Sequence, residues 1–139
     1  MSAPVQGAAR TVLFACTHNT VRSPMAAALF AEVTGAPAWS CGLNAGDQVN
    51  GFACAVMAEA GLDLLEHHPR AFEDVEDRPE LIVALTPEAG ARAEQVTGVR
   101  VEVWPIEDPT LTEGSREQQL DAFRAVRDDL RNRIRARFA

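Results

Sequence analysis

A cysteine and an arginine stand six positions apart in the stretch CTHNTVRS, residues 16–23. Cys16 ends an apolar run, and most residues between it and Arg22 are small or polar. A thiolate is a strong nucleophile, and a planar guanidinium donates hydrogen bonds to two oxygens of a phosphate-like group at once. The spacing therefore indicates a loop that binds an oxyanion with a nucleophilic sulfur at its floor.

The segments on either side of this loop predict a strand before it and a helix after it. Residues 11–15, TVLFA, are β-branched or apolar, and the following SPMAAALFAEV is rich in helix formers, with Ser23 expected as its N-cap. Backbone N–H groups at such a helix start converge on one point, where the helix dipole favours an anion. The same field favours the thiolate form of Cys16.

Apolar segments and helix-forming segments alternate through the rest of the chain. Further strands are expected within residues 37–42, 80–86 and 99–105, and further helices within residues 52–62, 87–98 and from about 115 onward. This alternation predicts an α/β fold, a single three-layer domain with a four-stranded parallel sheet flanked by helices and the phosphate-binding loop after strand 1. We predict that the domain spans residues 11–139 and follows a flexible N-terminal segment, residues 1–10.

Composition excludes several other classes of protein. The 139 residues carry a formal net charge of −7, which disfavours nucleic-acid binding, and no apolar stretch predicts a membrane span. The N-terminus lacks the pattern of a secretory signal, so a cytoplasmic location is expected. Cys16, Cys41 and Cys54 form no close pair, and no metal site or cofactor is predicted.

The stretch VLFACTHNTVRSPMAAAL resembles the low-molecular-weight protein tyrosine phosphatase family, whose signature is Cys, five residues, Arg and Ser between the first strand and first helix. A second family element is an Asp-Pro pair on a late loop, which WPIEDPT supplies as Asp108 and Pro109. The resemblance implies Cys16, Arg22 and Asp108 as catalytic residues. It also implies a set of phosphate-binding residues: Thr17, His18, Asn19, Thr20, Val21, Arg22 and Ser23.

The resemblance implies a two-step hydrolysis of a phosphomonoester. Thiolate Cys16 attacks phosphorus while Asp108 protonates the leaving oxygen, and Asp108 then activates the water that hydrolyses the cysteinyl-phosphate. Ser23 donates toward the sulfur. Ser40 in WSCG and His67 in EHHPRAF are expected to hydrogen-bond the loop asparagine, with His68 as an alternative to His67.

The chain departs from the family pattern at the loop and at the substrate rim. His18 stands where the family usually has Gly, and Val21 where it often has a second Cys. Thr110 and Leu111 replace the aromatic residues that commonly follow the Asp-Pro pair, which leaves Phe52 or Trp39 as possible pocket walls and phosphotyrosine specificity open.

Two other functions stay open. Thiol-linked arsenate reductases share the loop, but those that finish the reaction internally use two further cysteines after strand three, where residues 85–95 hold none. A reductase of this kind would need an external thiol or a redoxin partner, because Cys41 and Cys54 are interpreted as packing residues. The third possibility is a module that binds phosphate or a phosphopeptide without turnover.

Overall fold

A computed structural model describes residues 11–76 and 78–139, and the flexible segment predicted at residues 1–10 lies outside them. Four strands form one parallel sheet in the order β2-β1-β3-β4. Their bounds are β1 Val12–Cys16, β2 Trp39–Gly42, β3 Leu81–Ala84 and β4 Arg100–Val103. The central strands β1 and β3 are buried along their whole length, as their uninterrupted apolar sequences require. The predicted four-stranded parallel sheet is confirmed.

Helices cover both faces of this sheet. Their bounds are α1 Arg22–Thr34, α2 Gly51–Glu59, α3 Pro87–Ala93 and α4 Arg116–Phe138. Helices α1, α2 and α4 pack on one face, and α3 packs on the other together with Phe72 of a short 3₁₀ turn. The three-layer architecture is therefore confirmed as well. Within the described residues, no helix combines the length and apolarity needed to cross a bilayer.

Side-chain hydrogen bonds set two helix starts differently from the prediction. The N-cap of α1 is Val21, which makes no side-chain cap bond, and Ser23 lies inside the first turn. The prediction of Ser23 as N-cap is wrong because its hydroxyl is engaged with Asn19 and Cys16 instead. Helix α2 starts at Gly51, where the side chain of Asn50 accepts from two backbone N–H groups.

Loops that leave the parallel strands meet at one edge of the sheet. The backbone beyond β4 stays paired with the segment beyond β3, since Trp104 N donates to Ala84 O at 2.8 Å and Ile106 N donates to Leu85 O at 3.0 Å. This pairing carries the 106–115 loop to the carboxyl edge, where the 16–23 loop begins. Two segments 84 residues apart in the chain are thereby brought into contact.

Candidate active site

Backbone carbonyls of the 16–23 loop point outward and are bonded by neighbouring segments. Their donors are Leu43 N to Cys16 O, Asn44 N to Thr17 O, Gly46 N to His18 O, His67 Nε2 to Asn19 O and Asn50 N to Thr20 O, all at 2.9–3.0 Å. The structure contains no cis peptide bond among its described residues, and in a trans peptide the N–H points opposite to the C=O. The N–H groups of residues 17–21 therefore face inward, toward one concavity suited to an anion.

Asn19 holds the loop in this shape. It is fully buried and has a φ of 59°, in the left-handed region that Asn tolerates better than most residues. Its Oδ1 accepts from Arg70 N at 2.9 Å, and its Nδ2 donates to Ser23 Oγ at 2.8 Å. Both ends of the amide are thus used to fix the turn.

Gly42 at the end of β2 lets the loop pack against the sheet. A Cβ at this position would lie 2.7 Å from Thr17 O and 2.8 Å from Asn19 N, both of them backbone atoms. No side chain fits there unless the loop shifts. Position 42 therefore requires glycine because the backbone of the 16–23 loop packs directly against it, and not because of its φ angle.

Cys16 lies at the floor of the concavity, with only 2% of its surface exposed. Its Sγ is 2.9 Å from Ser23 Oγ, which also lies 3.2 Å from Cys41 O. A hydroxyl has a single proton to donate, so Ser23 can direct that proton either to the Cys41 carbonyl or to a thiolate on Cys16. The contact between Ser23 and the sulfur is present, as the resemblance implied.

Arg22 joins the 16–23 loop to the 106–115 loop. One terminal nitrogen of its buried guanidinium donates to Ile106 O at 2.9 Å, and the other donates to Thr17 Oγ1 at 3.3 Å. A guanidinium has five N–H donors, so further donors remain for a bound anion. Because the charge is buried, it acts on such an anion with little screening by solvent.

Asp108 begins the 3₁₀ turn Pro109–Leu111, two residues after Ile106. Its Oδ1 accepts from the N–H of Thr110 at 2.9 Å and from its hydroxyl at 2.6 Å. None of the residues described by the structure donates to Oδ2, which leaves that oxygen available for proton transfer. Thr110, which replaces the family's aromatic residue, thus orients the carboxylate, while Leu111 is 77% exposed.

His67, and not its neighbour His68, contacts the loop. Its Nε2 lies 3.0 Å from Asn19 O, and partial burial lowers the pKa of its imidazole from the ordinary value. The lowered pKa favours the neutral imidazole, and Nε2 must carry a proton to donate to the Asn19 carbonyl. His68 is exposed and makes no bond to the loop within the described part of the chain.

Ser40 does not make the predicted bond to Asn19. The amide of Asn19 bonds Arg70 and Ser23 instead, and Ser40 lies two residues before Gly42, or about 7 Å down the strand. Its backbone carbonyl instead accepts from Arg70 Nε at 3.1 Å. Sequence reasoning missed Arg70, although EHHPRAF contains it and matches the family's His-x-Ala-Arg stretch.

Neither of the other two cysteines is bonded to Cys16 in the part of the chain that the structure describes. Cys41 packs in the core on the opposite face of the sheet, where burial raises the pKa of its thiol to about 12. Cys54 lies on α2 and is partly buried, and burial raises its pKa too. Among the described residues, no group of three His, Cys, Asp or Glu side chains is arranged to hold a metal ion.

The two aromatic residues considered as pocket walls are placed differently. Trp39 starts β2, at the end of the strand remote from the 16–23 loop, and packs beside the second core cluster. Phe52 is close to the loop, but its ring contacts Phe123 at a centroid distance of 5.5 Å and lies under the guanidinium of Arg116. Trp39 therefore does not border the loop, and the ring of Phe52 is partly covered by Arg116.

Comparison with known families decides what this arrangement represents. A family model described as low molecular weight phosphotyrosine protein phosphatase matches residues 11–139. The chain belongs to this family. It is 31% identical over 134 residues to an arsenate reductase of Bacillus licheniformis, covering 94% of this chain and 95% of the relative.

Solved structures of relatives include both kinds of enzyme in this family. An arsenate reductase of Archaeoglobus fulgidus is 29% identical, with a TM-score of 0.71, over 90% of this chain and 96% of its own. A Cys-to-Ser mutant of the YwlE arginine phosphatase, with a phosphorylated active site serine, is 25% identical, with a TM-score of 0.67, over 90% and 91%. The chain is thus a member of an enzyme family of phosphatases and arsenate reductases.

Proposed function

We propose that this protein hydrolyses phosphomonoesters through a cysteinyl-phosphate intermediate. The observation that carries the proposal is the bond from Arg22 to Ile106 O, which joins the loop of Cys16 to the segment of Asp108. A nucleophile, an anion-binding guanidinium and a carboxylate that can transfer a proton are therefore built into one edge of the sheet. Phosphoryl transfer to and from sulfur requires these three groups.

In the first step, the Cys16 thiolate attacks phosphorus in line and the P–O bond to the leaving group breaks. The inward N–H groups and Arg22 stabilise the negative charge on the equatorial oxygens. Asp108 donates its proton through Oδ2 to the departing oxygen, so an alcohol leaves. The proposed products of this step are an S-phosphocysteine and an ionised Asp108.

In the second step, a water molecule attacks phosphorus while Asp108 takes one of its protons. The P–S bond breaks, and the Ser23 hydroxyl stabilises the sulfur as it regains its charge. Inorganic phosphate leaves and Asp108 is again protonated. The serine-bound phosphoryl group in the YwlE mutant supports such an intermediate, since that group resides on the residue that replaces the cysteine.

The natural substrate is proposed to be a phosphorylated protein, with phosphotyrosine as the first candidate, or a small phosphomonoester. Leu111 offers an exposed aliphatic side chain at the rim beside Asp108. An aliphatic group can contact an aryl ring without the specificity of an aromatic wall. The family resemblance, and not this rim, is the main support for phosphotyrosine.

Arsenate reduction is the second candidate, and the sequence comparison favours it over hydrolysis, because the Bacillus licheniformis relative is named an arsenate reductase. Arsenate is tetrahedral like phosphate, so the same loop can accept it. Reduction of arsenate to arsenite takes two electrons, which two thiols supply as they become a disulfide. Cys41 faces the other side of the sheet, and Cys54 is not bonded to Cys16 within the described residues, so we propose that an external thiol or a redoxin supplies the second sulfur.

One pair of assays separates these activities. Phosphate release from para-nitrophenyl phosphate is measured with a chelator present, and thiol oxidation driven by arsenate is measured with glutathione or a redoxin. We expect phosphatase turnover in the wild type and in Cys54→Ser, and none in Cys16→Ser. Arsenate-dependent thiol oxidation with a higher kcat/KM would replace this proposal by the reductase, and phosphate binding without either turnover would indicate a binding module.

A further inference from the structure

Arg116, the first residue of α4, is a cation without an acidic partner among the residues that the structure describes. Arg116 makes no ion pair or side-chain hydrogen bond within residues 11–76 and 78–139, and its Cζ lies 5.3 Å from the centroid of the Phe52 ring. Its sequence neighbour Glu117 is held by Arg124 at 2.6 Å and so does not neutralise Arg116. We call Phe52 and Arg116, with Asn50 and Gly51 beside them, the shelf.

The shelf borders a cavity of about 390 Å³ lined by Asn50, Gly51, Phe52 and Arg116. A Cβ added at Gly51 would meet no atom of the described residues within 4 Å, so this side of the cavity is open with respect to them. The guanidinium lies over the ring, and none of its N–H groups donates to a residue that the structure describes. The shelf therefore combines open space with unused donors and a positive charge.

Asn50 connects the shelf to the proposed catalytic loop. Its N–H donates to Thr20 O at 3.0 Å, and its side chain accepts from Phe52 N at 2.8 Å. Two residues of chain, the Phe52 side chain and the 5.3 Å between ring and guanidinium are compatible with a separation on the order of 10 Å between Arg116 and the loop. Side chains of neighbouring residues in an extended peptide span such a distance.

We propose that the shelf binds an acidic side chain of a phosphopeptide whose phosphorylated residue occupies the 16–23 loop. This inference rests on the proposed function and adds a specificity-determining residue, Arg116, to it. The net charge of −7 repels acidic ligands from the surface as a whole. Arg116 provides a local positive charge near the proposed site, so an acidic group of the ligand binds most favourably there. A carboxylate can accept two hydrogen bonds from the guanidinium edge.

The test compares matched phosphotyrosine peptides on the Cys16→Ser protein, which reports binding without turnover. Glutamates lie on the N-terminal side of the phosphotyrosine, on its C-terminal side, or are replaced by glutamine. We expect one glutamate peptide to bind about threefold to tenfold more tightly than its glutamine version at low salt, and the preference to shrink as salt is added. Equal affinity for all three peptides would overturn the proposal.

Three second-site variants assign the preference to the shelf. Arg116→Gln removes the cation, and Gly51→Asp places a carboxylate beside it in open space, so both should abolish the preference. Arg135→Gln removes an exposed charge from the far end of the same helix and should leave the preference unchanged. A preference that survives Arg116→Gln, or that Arg135→Gln also removes, would contradict the role of Arg116.

The source of the acidic group and the catalytic proposal are tested separately. A preference for 4-carboxyphenyl phosphate over phenyl phosphate without any peptide preference would overturn the assignment to a peptide. Wild-type turnover of para-nitrophenyl phosphate reports on the proposed function alone. If the Cys16→Ser variant prefers a glutamate peptide but the wild type shows no phosphatase activity, the proposal for the shelf is supported and the proposed hydrolysis is refuted.

Discussion

The guanidinium of Arg22 donates a 2.9 Å hydrogen bond to the backbone carbonyl of Ile106. Arg22, which we propose binds the anion, therefore also ties its loop to the segment that carries Asp108. Its second terminal nitrogen reaches Thr17 Oγ1, within its own loop. A change at Arg22 should thus affect both anion binding and the position of Asp108.

Arg22→Lys keeps the charge but loses the planar fork. We expect kcat/KM for para-nitrophenyl phosphate to fall by about a hundredfold, the size of effect seen when one oxyanion donor is removed. Faster hydrogen exchange across residues 106–115 should accompany the loss. Arg92→Lys is the matched control, because that guanidinium stacks on Phe72 at the other face of the sheet. Activity of Arg22→Lys near the wild-type level would contradict the assignment.

Asp108→Asn should lose activity according to the leaving group. An alkyl phosphate needs a proton on its departing oxygen, so we expect its turnover to fall by about a hundredfold or more, with a smaller fall for para-nitrophenyl phosphate. Steady-state kinetics on the two substrates measure the difference. Glu107→Gln alters the exposed neighbouring carboxylate and serves as the control. Equal losses on both substrates would rule out a general acid at Asp108.

Gly42→Ala should damage both the site and the fold. The added methyl would lie within 2.8 Å of two backbone atoms of the 16–23 loop, so the loop must move. We expect the free energy of unfolding to fall by about 1–3 kcal/mol and phosphate affinity to fall with it. Urea unfolding and phosphate titration check this. For stability, Gly51→Ala is the control, since a Cβ there meets no atom, and an equal effect of both changes would contradict the packing argument.

His67 should make the fold sensitive to mild acid. Burial lowers the pKa of its imidazole in the folded state, so the unfolded chain binds the proton more readily. The stabilisation is present above the unfolded pKa of about 6.5 and is lost as the pH falls below it. Urea unfolding from pH 7.5 to 5.5 should show a steeper loss for wild type than for His67→Gln. His68→Gln should follow wild type, and identical slopes in all three proteins would refute the prediction.

The sequence by itself determined the order of elements and the position of the loop. Apolar runs of four to five residues specify β1 and β3 because strands covered on both faces admit no polar residue. The period of apolar residues specifies α4 in the same way, from Leu120 to Ile134. Cys16 and Arg22 are six residues apart, so local spacing alone was enough to place them on one loop.

Tertiary structure alone decided which groups hold that loop. Arg70 and Ile106 contact it across 51 and 84 residues, and no local pattern encodes such contacts. The expected bond from Ser40 to Asn19 is absent among the described residues, where Arg70 and Ser23 bond that amide instead. A buried donor or acceptor must be hydrogen-bonded, and its partner is the complementary group that the folded structure brings close to it. At this edge of the sheet those partners come from segments distant in the chain, so they are defined only in the assembled fold.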